Sequence, residues 1–393
     1  MKIIIFKSKW NFEPLRLFAE QIADGFLKLD YEVFIVENGK DFDALKTVAE
    51  ICEFTVPNQT MALFFDNMGL QFEIGEKGIL WNLLKIDCYS MLFDHPMFFH
   101  EMITYPIEKL TFFCVDKFHQ IYIERFYQKQ GVLVKSHFIP LGGSKDKGKE
   151  IAFRERSMDL VFVGRKHRVS IDIEELANEF SENVSALWKE CYQLLLTCKT
   201  MTIEEMVEAC LKKKGIQLTE EDLRDTIRLF KDMDLILRSA TRANVLKMLA
   251  DNDIKVHVYG TGWEDLDCKQ KNLVIHELVS FQESIRLMAD ARISLNVMPW
   301  FKDGAHERVY TAMLNKSVCL TDYSKYLDET LTDGENVIMY SLDALEDLPQ
   351  KVKYYLDHPK VLEEIAQKGY EYAEGAQDWT NRARWMAEII EMN

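Results

Sequence analysis

Five ionisable residues, Lys302, Asp303, His306, Glu307 and Arg308, crowd one short stretch of the sequence, FKDGAHERVYTAMLNKSV over 301–318. The run before it, ARISLNVMPW, is apolar and reads as a buried strand. From Val309 onward the residues read as a helix, whose first turn begins near His306. A helix N-terminus offers unpaired N–H groups and the positive end of a dipole, which suits an anion. Lys302 and Arg308 add positive charge at the same corner. The chemistry these residue types support is the holding of phosphate.

Other strand ends point the same way. Gly164-Arg165 follows LVFV, Gly260-Thr261-Gly262-Trp263 follows VHVY, and Leu278-Val279-Ser280 follows VIHE. Glycine at a strand end lets backbone N–H groups come close to a ligand. In an open parallel sheet, ligands bind outside the carboxyl ends of the strands. Taken together, these corners describe a pocket for a phosphorylated ligand, most simply a nucleotide. Taken singly, each has a plain reading: GTGW as a turn, Arg165 and Arg308 as solvated charges.

In the first half, the polar residues that end strands are Asp66-Asn67 in FFDNMG and Asp94-His95 in LFDHP. A carboxylate beside an imidazole at a strand end is a candidate general base or substrate clamp. The alternative is turn chemistry, an aspartate ahead of His-Pro. No strand is followed by G-x-G-x-x-G, and G-x-x-x-x-G-K-[ST] does not occur. The histidines lack zinc spacing, and no G-x-S-x-G elbow anchors a hydrolase triad.

The elements that must position these groups alternate. KIIIF, YEVFIVE, MALFFDNMG, CYSMLFDHP, LTFFCVD and VLVKSHFIPLGGS read as strands, the third ending in polar residues and the fourth stopped by Pro96, separated by helices such as EPLRLFAEQIADGFLKLD and KFHQIYIERFYQKQ. That rhythm predicts a parallel sheet with helices on both faces. GGSKDKGKEIAFRERS is polar and glycine-containing, and reads as a linker. A second α/β series starts at MDLVFVGRK. From about 169 to 250 the rhythm gives way to helical periodicity alone, with Thr202/Glu205 and Thr219/Asp222 as capping boxes. This predicts a helical insertion, serving packing or a homodimer surface. The α/β rhythm then resumes and ends in two amphipathic helices.

At 393 residues the chain has room for two domains, each with its own core. An apolar fraction of 48% with 28% charged residues marks a globular protein rather than a disordered one. A formal net charge of -16 argues against bulk attraction to nucleic acid or anionic lipid. No nucleic-acid partner and at most weak membrane association are therefore expected. No apolar stretch approaches the roughly 20 residues of a membrane span, and MKIIIFKSKW is too short a run for a signal-peptide core. The 8 cysteines include no C-x-x-C pair. Cys52, Cys88, Cys114, Cys210 and Cys319 sit in apolar contexts and read as small buried residues, consistent with a reduced, cytoplasmic setting.

Ordered blocks of the second half carry a resemblance. DLVFVG, VHVYGTGW, the long block LVSFQESIRLMADARISLNVMPWFKDGAHERVYTAMLNKSVCLTDYSKYLDETLTDGENVIMYS and the ending from VKYYLDHPKVLEEIAQ onward resemble group 1 glycosyltransferases of the GT-B fold. The branch they look like is the spore-maturation-protein-like bacterial one. SMLFDHPMFF, LTFFCVDKFHQIYIERFY and HFIPLGGS resemble the N-terminal domain that accompanies it.

The resemblance implies an α/β architecture of two Rossmann-like, doubly wound domains facing each other across a cleft. Residues 1–150 would form the acceptor-side domain. Residues 151–375 would form the nucleotide-sugar-binding domain carrying the insertion, and 376–393 a helix packing back on the first domain. A nucleotide sugar, a UDP-sugar as first choice, would be the co-substrate. No metal and no further cofactor would be needed, because a helix dipole and basic side chains can stabilise a departing diphosphate. The acceptor would be a protein, a lipid carrier or a polysaccharide.

The implied donor-binding set is Gly164, Arg165, Gly260, Gly262, Trp263, Val279, Ser280, Lys302, His306, Arg308, Val309 and Thr311. Arg308 is the first choice for the diphosphate. The family's donor block reads like V-F-E-A-M-A-x-G-x-P, and here the matching residues are VYTAMLNKSV. The glutamate that holds the ribose falls on Thr311, and its acidic partner eight residues earlier falls on Asp303. This departure from E-x7-E leaves the stereochemistry open, with Asp303, Asp94 and His95 as catalytic candidates. It also motivates one alternative, a nucleotide-sugar or glycan-binding protein without turnover; a further alternative on the same fold is an epimerase acting on the nucleotide sugar with no acceptor.

Overall fold

The computed structural model describes residues 1–8, 13–39, 42–166 and 180–392. The chain divides into two compact units, Met1–Gly142 with Gly375–Asn393, and Gly143–Glu374.

Strands such as LTFFC are buried at every position, the pattern of a sheet covered on both faces. The first unit holds β1 (Lys2–Ser8), β2 (Glu32–Asn38), β3 (Thr60–Phe65), β4 (Asp87–Leu92), β5 (Leu110–Cys114) and β6 (Val134–Phe138). They pair in the order β2-β1-β3-β4-β5-β6, every pair parallel. The order reverses between β1 and β3, so the crevice that suits a ligand opens there.

Gly375–Asn393 belongs to this unit through the helix Trp379–Met392, which lies on Glu13–Lys28. Trp379 stacks on Phe18 with ring centroids 4.2 Å apart. A Cβ on Gly25 would come within 2.5 Å of the Ala383 side chain, so glycine sets how close these helices approach. The Arg382 guanidinium is fully buried and donates to the Pro140 and Leu141 carbonyls.

The second unit holds β7 (Met158–Val163), β8 (Val256–Tyr259), β9 (Leu273–His276), β10 (Ala291–Asn296), β11 (Val318–Asp322) and β12 (Ile338–Tyr340). Their order is β12-β11-β10-β7-β8-β9, again parallel throughout. Counted within the unit, this is the doubly wound 3-2-1-4-5-6 order, and the switch point lies between β7 and β10.

The insertion is helical where it is described: Glu182–Thr197, Ile203–Lys213, Glu220–Arg228 and Lys231–Asp251. The capping box expected at Thr202 and Glu205 is formed, and the Thr219 side chain accepts from the Asp222 N–H. The part of the predicted insertion between 169 and 179 lies outside the described residues. Lys231–Asp251 is the longest of these four helices and packs into the core of its own unit through Val245, Leu246 and Leu249.

Two expectations from the sequence change here. The polar segment read as a linker belongs to the second unit from Gly143 onward and is packed rather than loose. The Ser144 N–H donates to the Thr311 hydroxyl at 3.1 Å, and the Asp146 N–H to Asn315 Oδ1 at 2.8 Å. Arg286 reaches the Asp146 carboxylate at 2.7 Å. Cys52, read as buried, is exposed. Ile51 is the residue its helix buries, and the next position points about 100° away. No helix among the described residues is long and apolar enough to cross a membrane.

Candidate active site

The switch point of the second unit collects arginines. Arg308 stands in the first turn of the helix Glu307–Leu314, directly after the loop that leaves β10. Its guanidinium turns inward, and Nη1 donates to the Val163 carbonyl at the end of β7 at 2.6 Å. Its Nε and Nη2 lie 3.2 and 3.1 Å from the two ring nitrogens of His306. Arg238 and Arg242 arrive from Lys231–Asp251, one helical turn apart, both 4.6 Å from the centre of the Trp300 ring. Arg242 also donates to the Arg165 carbonyl at 3.1 Å, and Arg238 is paired with Asp234 at 2.6 Å.

His306 caps the helix. Its Nδ1 accepts the Arg308 backbone N–H at 3.2 Å. Burial and the charges of Arg308, Arg242 and Arg238 push its pKa well below the ordinary value, so the ring is neutral at physiological pH. A neutral histidine among arginines adds no further repulsion within the protein.

Two acids border the cluster, and both are pushed up to about 7, chiefly by burial. Glu307 accepts the Thr311 hydroxyl at 2.9 Å. Asp322, at the end of β11, accepts the Met298 N–H at 2.8 Å. A carboxyl whose folded-state pKa lies above its unfolded value costs stability as pH rises from the unfolded pKa to the folded one. Asp322→Asn removes that cost, so its melting temperature relative to the parent protein is expected to climb between pH 5 and pH 8. The shift from 3.8 to about 7 corresponds to a few kcal/mol. Thermal scans at both pH values check this, and a difference that does not change with pH refutes it.

The residues singled out from sequence fall into distinct groups. Gly164, His306, Arg308 and the Arg165 backbone meet at the cluster; a Cβ on Gly164 would lie 3.2 Å from Arg308 Nη1. Gly260 and Gly262 serve a different end. Their Cβ atoms would meet the Gly164 and Lys166 carbonyl oxygens at 2.1 and 2.3 Å, so the GTGW turn is braced on the backbone after β7. Trp263 is fully buried in the core and donates Nε1–H to the Gly164 carbonyl at 2.8 Å. Its ring supports that carbonyl rather than facing a ligand.

Ser280 caps Phe281–Ala289 in a box with Glu283, beside a half-buried Val279. Val309 is fully buried, so its side chain packs in the interior. The Thr311 hydroxyl is consumed by Glu307 and by the Ser144 N–H. Lys302 turns toward the insertion and donates to the Lys199 carbonyl. Asp303 is 3% exposed and faces Lys325 at 3.3 Å, an ion pair rather than a free base. Sequence reading missed Arg238, Arg242 and Trp300, and it noted Glu307 without a role.

In the first unit Asp94 and His95 follow β4. His95 Nδ1 accepts the Met97 N–H at 3.1 Å, so the turn-cap reading describes one of its nitrogens. The ring also packs edge-on against His119 and Tyr122, both with centroids 4.8 Å away. Asp66 lies beside them. Its Oδ1 accepts the Phe93 N–H at 2.9 Å, and burial with the Asp94 charge raises its pKa to about 7. Asp66 and Asn67 both hold left-handed backbone, φ +46° and +62°. Consecutive residues of this kind store strain, which tends to collect at functional sites.

Residues 238–388 match a family described as glycosyl transferase-like. The matched stretch begins at Arg238 and contains Arg242, Trp300, His306 and Arg308. No curated protein matches the sequence. An α-glucosyltransferase solved with UDP-glucose and DNA containing an abasic site superposes with a TM-score of 0.56 at 12% identity, over 100% of this chain and 99% of the other. Sucrose-phosphate synthase from Thermosynechococcus elongatus gives 0.53 at 10%, over 100% and 98%. Anabaena HepE, solved with UDP and glucose, gives 0.53 at 10%, over the full length of both chains. The chain thus has the GT-B fold of two parallel-sheet, Rossmann-like units, and its residues 238–388 are similar to a glycosyl transferase-like family.

Proposed function

We propose that the protein transfers a sugar from a nucleotide-sugar donor, a UDP-sugar as first choice, and that its second unit binds the donor diphosphate at the arginine cluster. The observation that carries this reading is the meeting of Arg308, Arg242 and Arg238 at the carboxyl edge of β7 and β10, beside a helix N-terminus. Breaking the sugar–phosphate bond leaves negative charge on the diphosphate. Fixed guanidinium groups and oriented backbone N–H groups stabilise that charge more in the transition state than in the ground state. These side chains are themselves cationic, so the proposal includes no metal. The UDP and UDP-glucose named for the similar structures support uridine as the first base to try. The spore-maturation-protein-like bacterial branch is the subgroup we assign.

The acceptor side is assigned to the first unit, with Asp94 and His95 as the groups that take the acceptor proton. The acceptor is a hydroxyl-bearing protein, lipid carrier or polysaccharide. Asp94→Asn and His95→Ala are expected to lower transfer about a hundredfold, the scale of general base catalysis, while nucleotide binding holds. Equal loss of transfer and of nucleotide binding would contradict the assignment.

The experiment for the whole reading is incubation with a panel of nucleotide sugars, scored by released nucleoside diphosphate. Release from one donor above the no-enzyme rate is expected. Binding without release would favour the non-catalytic alternative, for which the occupied Thr311 hydroxyl is the specific observation. Isomerised donor without release would favour the epimerase.

A further inference from the structure

A cavity opens along the carboxyl ends of β10, β11 and β12, on the side of the sheet away from β8 and β9. Its volume is about 320 Å³, at the small end of the range for ligand sites. That suits a single ring rather than an oligomer. The insertion contributes Lys199 and Thr200 to its wall. This strap is pinned in place: the Lys199 N–H donates to Asp343 Oδ1 at 3.0 Å, its Nζ to the Leu342 carbonyl at 2.9 Å, and Lys302 Nζ to the Lys199 carbonyl.

The charges of the wall nearly cancel. Lys199 and Lys302 stand against Asp322, Asp328 and Asp333, and Lys351 already pairs with Asp333 at 2.6 Å. An anion would meet the acids and a cation the lysines, so the balance favours an uncharged ligand. Tyr323, 45% exposed, supplies aromatic surface, and the buried Tyr340 lines the wall behind it.

Asp322 is the second, independent observation. It lines the cavity and is 1% exposed, yet only Oδ1 has a hydrogen-bond donor, and Oδ2 has none. A buried carboxyl oxygen without a partner is costly and rare. Oδ2 is itself covered, so a ligand hydroxyl completes it once the carboxyl turns toward the cavity. We propose that this cavity binds an uncharged, hydroxyl-rich ring of hexose size, donating a hydroxyl to Asp322 and laying its C–H face on Tyr323. The assignment does not depend on the transferase reading.

The test is saturation-transfer NMR on the full chain with glucose, galactose, mannose and N-acetylglucosamine, glucose 6-phosphate being the charged control. At least one neutral sugar is expected to bind. Tyr323→Ala and Ser341→Trp, both at exposed positions, are expected to weaken that binding tenfold or more while melting as the parent does. Arg242→Ala, at the far side of the cluster from Asp322, is expected to leave it unchanged. No signal from any neutral sugar, tighter binding of the phosphate ester, or a signal that both cavity variants preserve overturns the proposal. Sugar binding by a parent protein that binds no UDP would end the donor-site reading and uphold the cavity.

Discussion

Arg308→Ala is expected to cut donor turnover by a hundredfold or more. Arg308 contributes a guanidinium held by the Val163 carbonyl and by His306, in a site that water barely enters. Losing one preorganised group that faces developing charge costs roughly 3–4 kcal/mol in the barrier. Arg308→Lys keeps the charge but loses the planar fork that bonds Val163 and lies against His306, so an intermediate loss is expected. Alanine also removes a donor from a buried carbonyl, at about 1–3 kcal/mol of stability. Melting curves separate that cost from the kinetic one. A folded alanine variant with parental turnover would take the diphosphate away from Arg308.

Gly260→Ala is expected to have the largest effect on folding. Gly260 holds φ +146°, a backbone region that side chains rarely enter, and its Cβ would lie 2.1 Å from the Gly164 carbonyl oxygen. The atom in the way is backbone, and Trp263 is bonded to that same carbonyl from the core. Strain of this kind costs about 1–3 kcal/mol, and overpacking a comparable amount. Together, about 2–6 kcal/mol, they reach the lower end of the stability of an ordinary domain, roughly 5–15 kcal/mol. Low soluble yield or a melting temperature depressed by more than about ten degrees is the expected reading. Gly375→Ala, where nothing lies within 4 Å of the new Cβ, provides the comparison: it carries only the backbone strain of its φ +70°.

The sequence conveyed the two sheets well, because parallel strands buried on both faces are continuous apolar runs and the intervening helices keep their own period. Arg308 stood out for a related reason, as a charge shortly after a core strand, and it lies beside His306 and the Val163 carbonyl. It misjudged GTGW because glycine at a strand end has two causes. A ligand can approach the backbone there, or another stretch of backbone can. Here it is residues 164–166 that approach. Arg238 and Arg242 were invisible because their role depends on where a helix of the insertion lands relative to Trp300, and no local pattern encodes that. Asp303 looked like a catalytic acid by position, yet Lys325, on a separate turn of chain, claims it.

The central claim is that the second unit's arginine cluster holds a nucleoside diphosphate. The most direct measurement is thermal unfolding of the parent protein and of Arg308→Ala and Arg242→Ala with and without UDP and GDP. A ligand bound only by the folded state stabilises it, by about 2.7 kcal/mol at a hundred times its dissociation constant. The account predicts that one nucleotide raises the parent melting temperature by several degrees and that each arginine variant loses most of the rise. No shift with either nucleotide at millimolar concentration, or an equal shift in all three proteins, would contradict it.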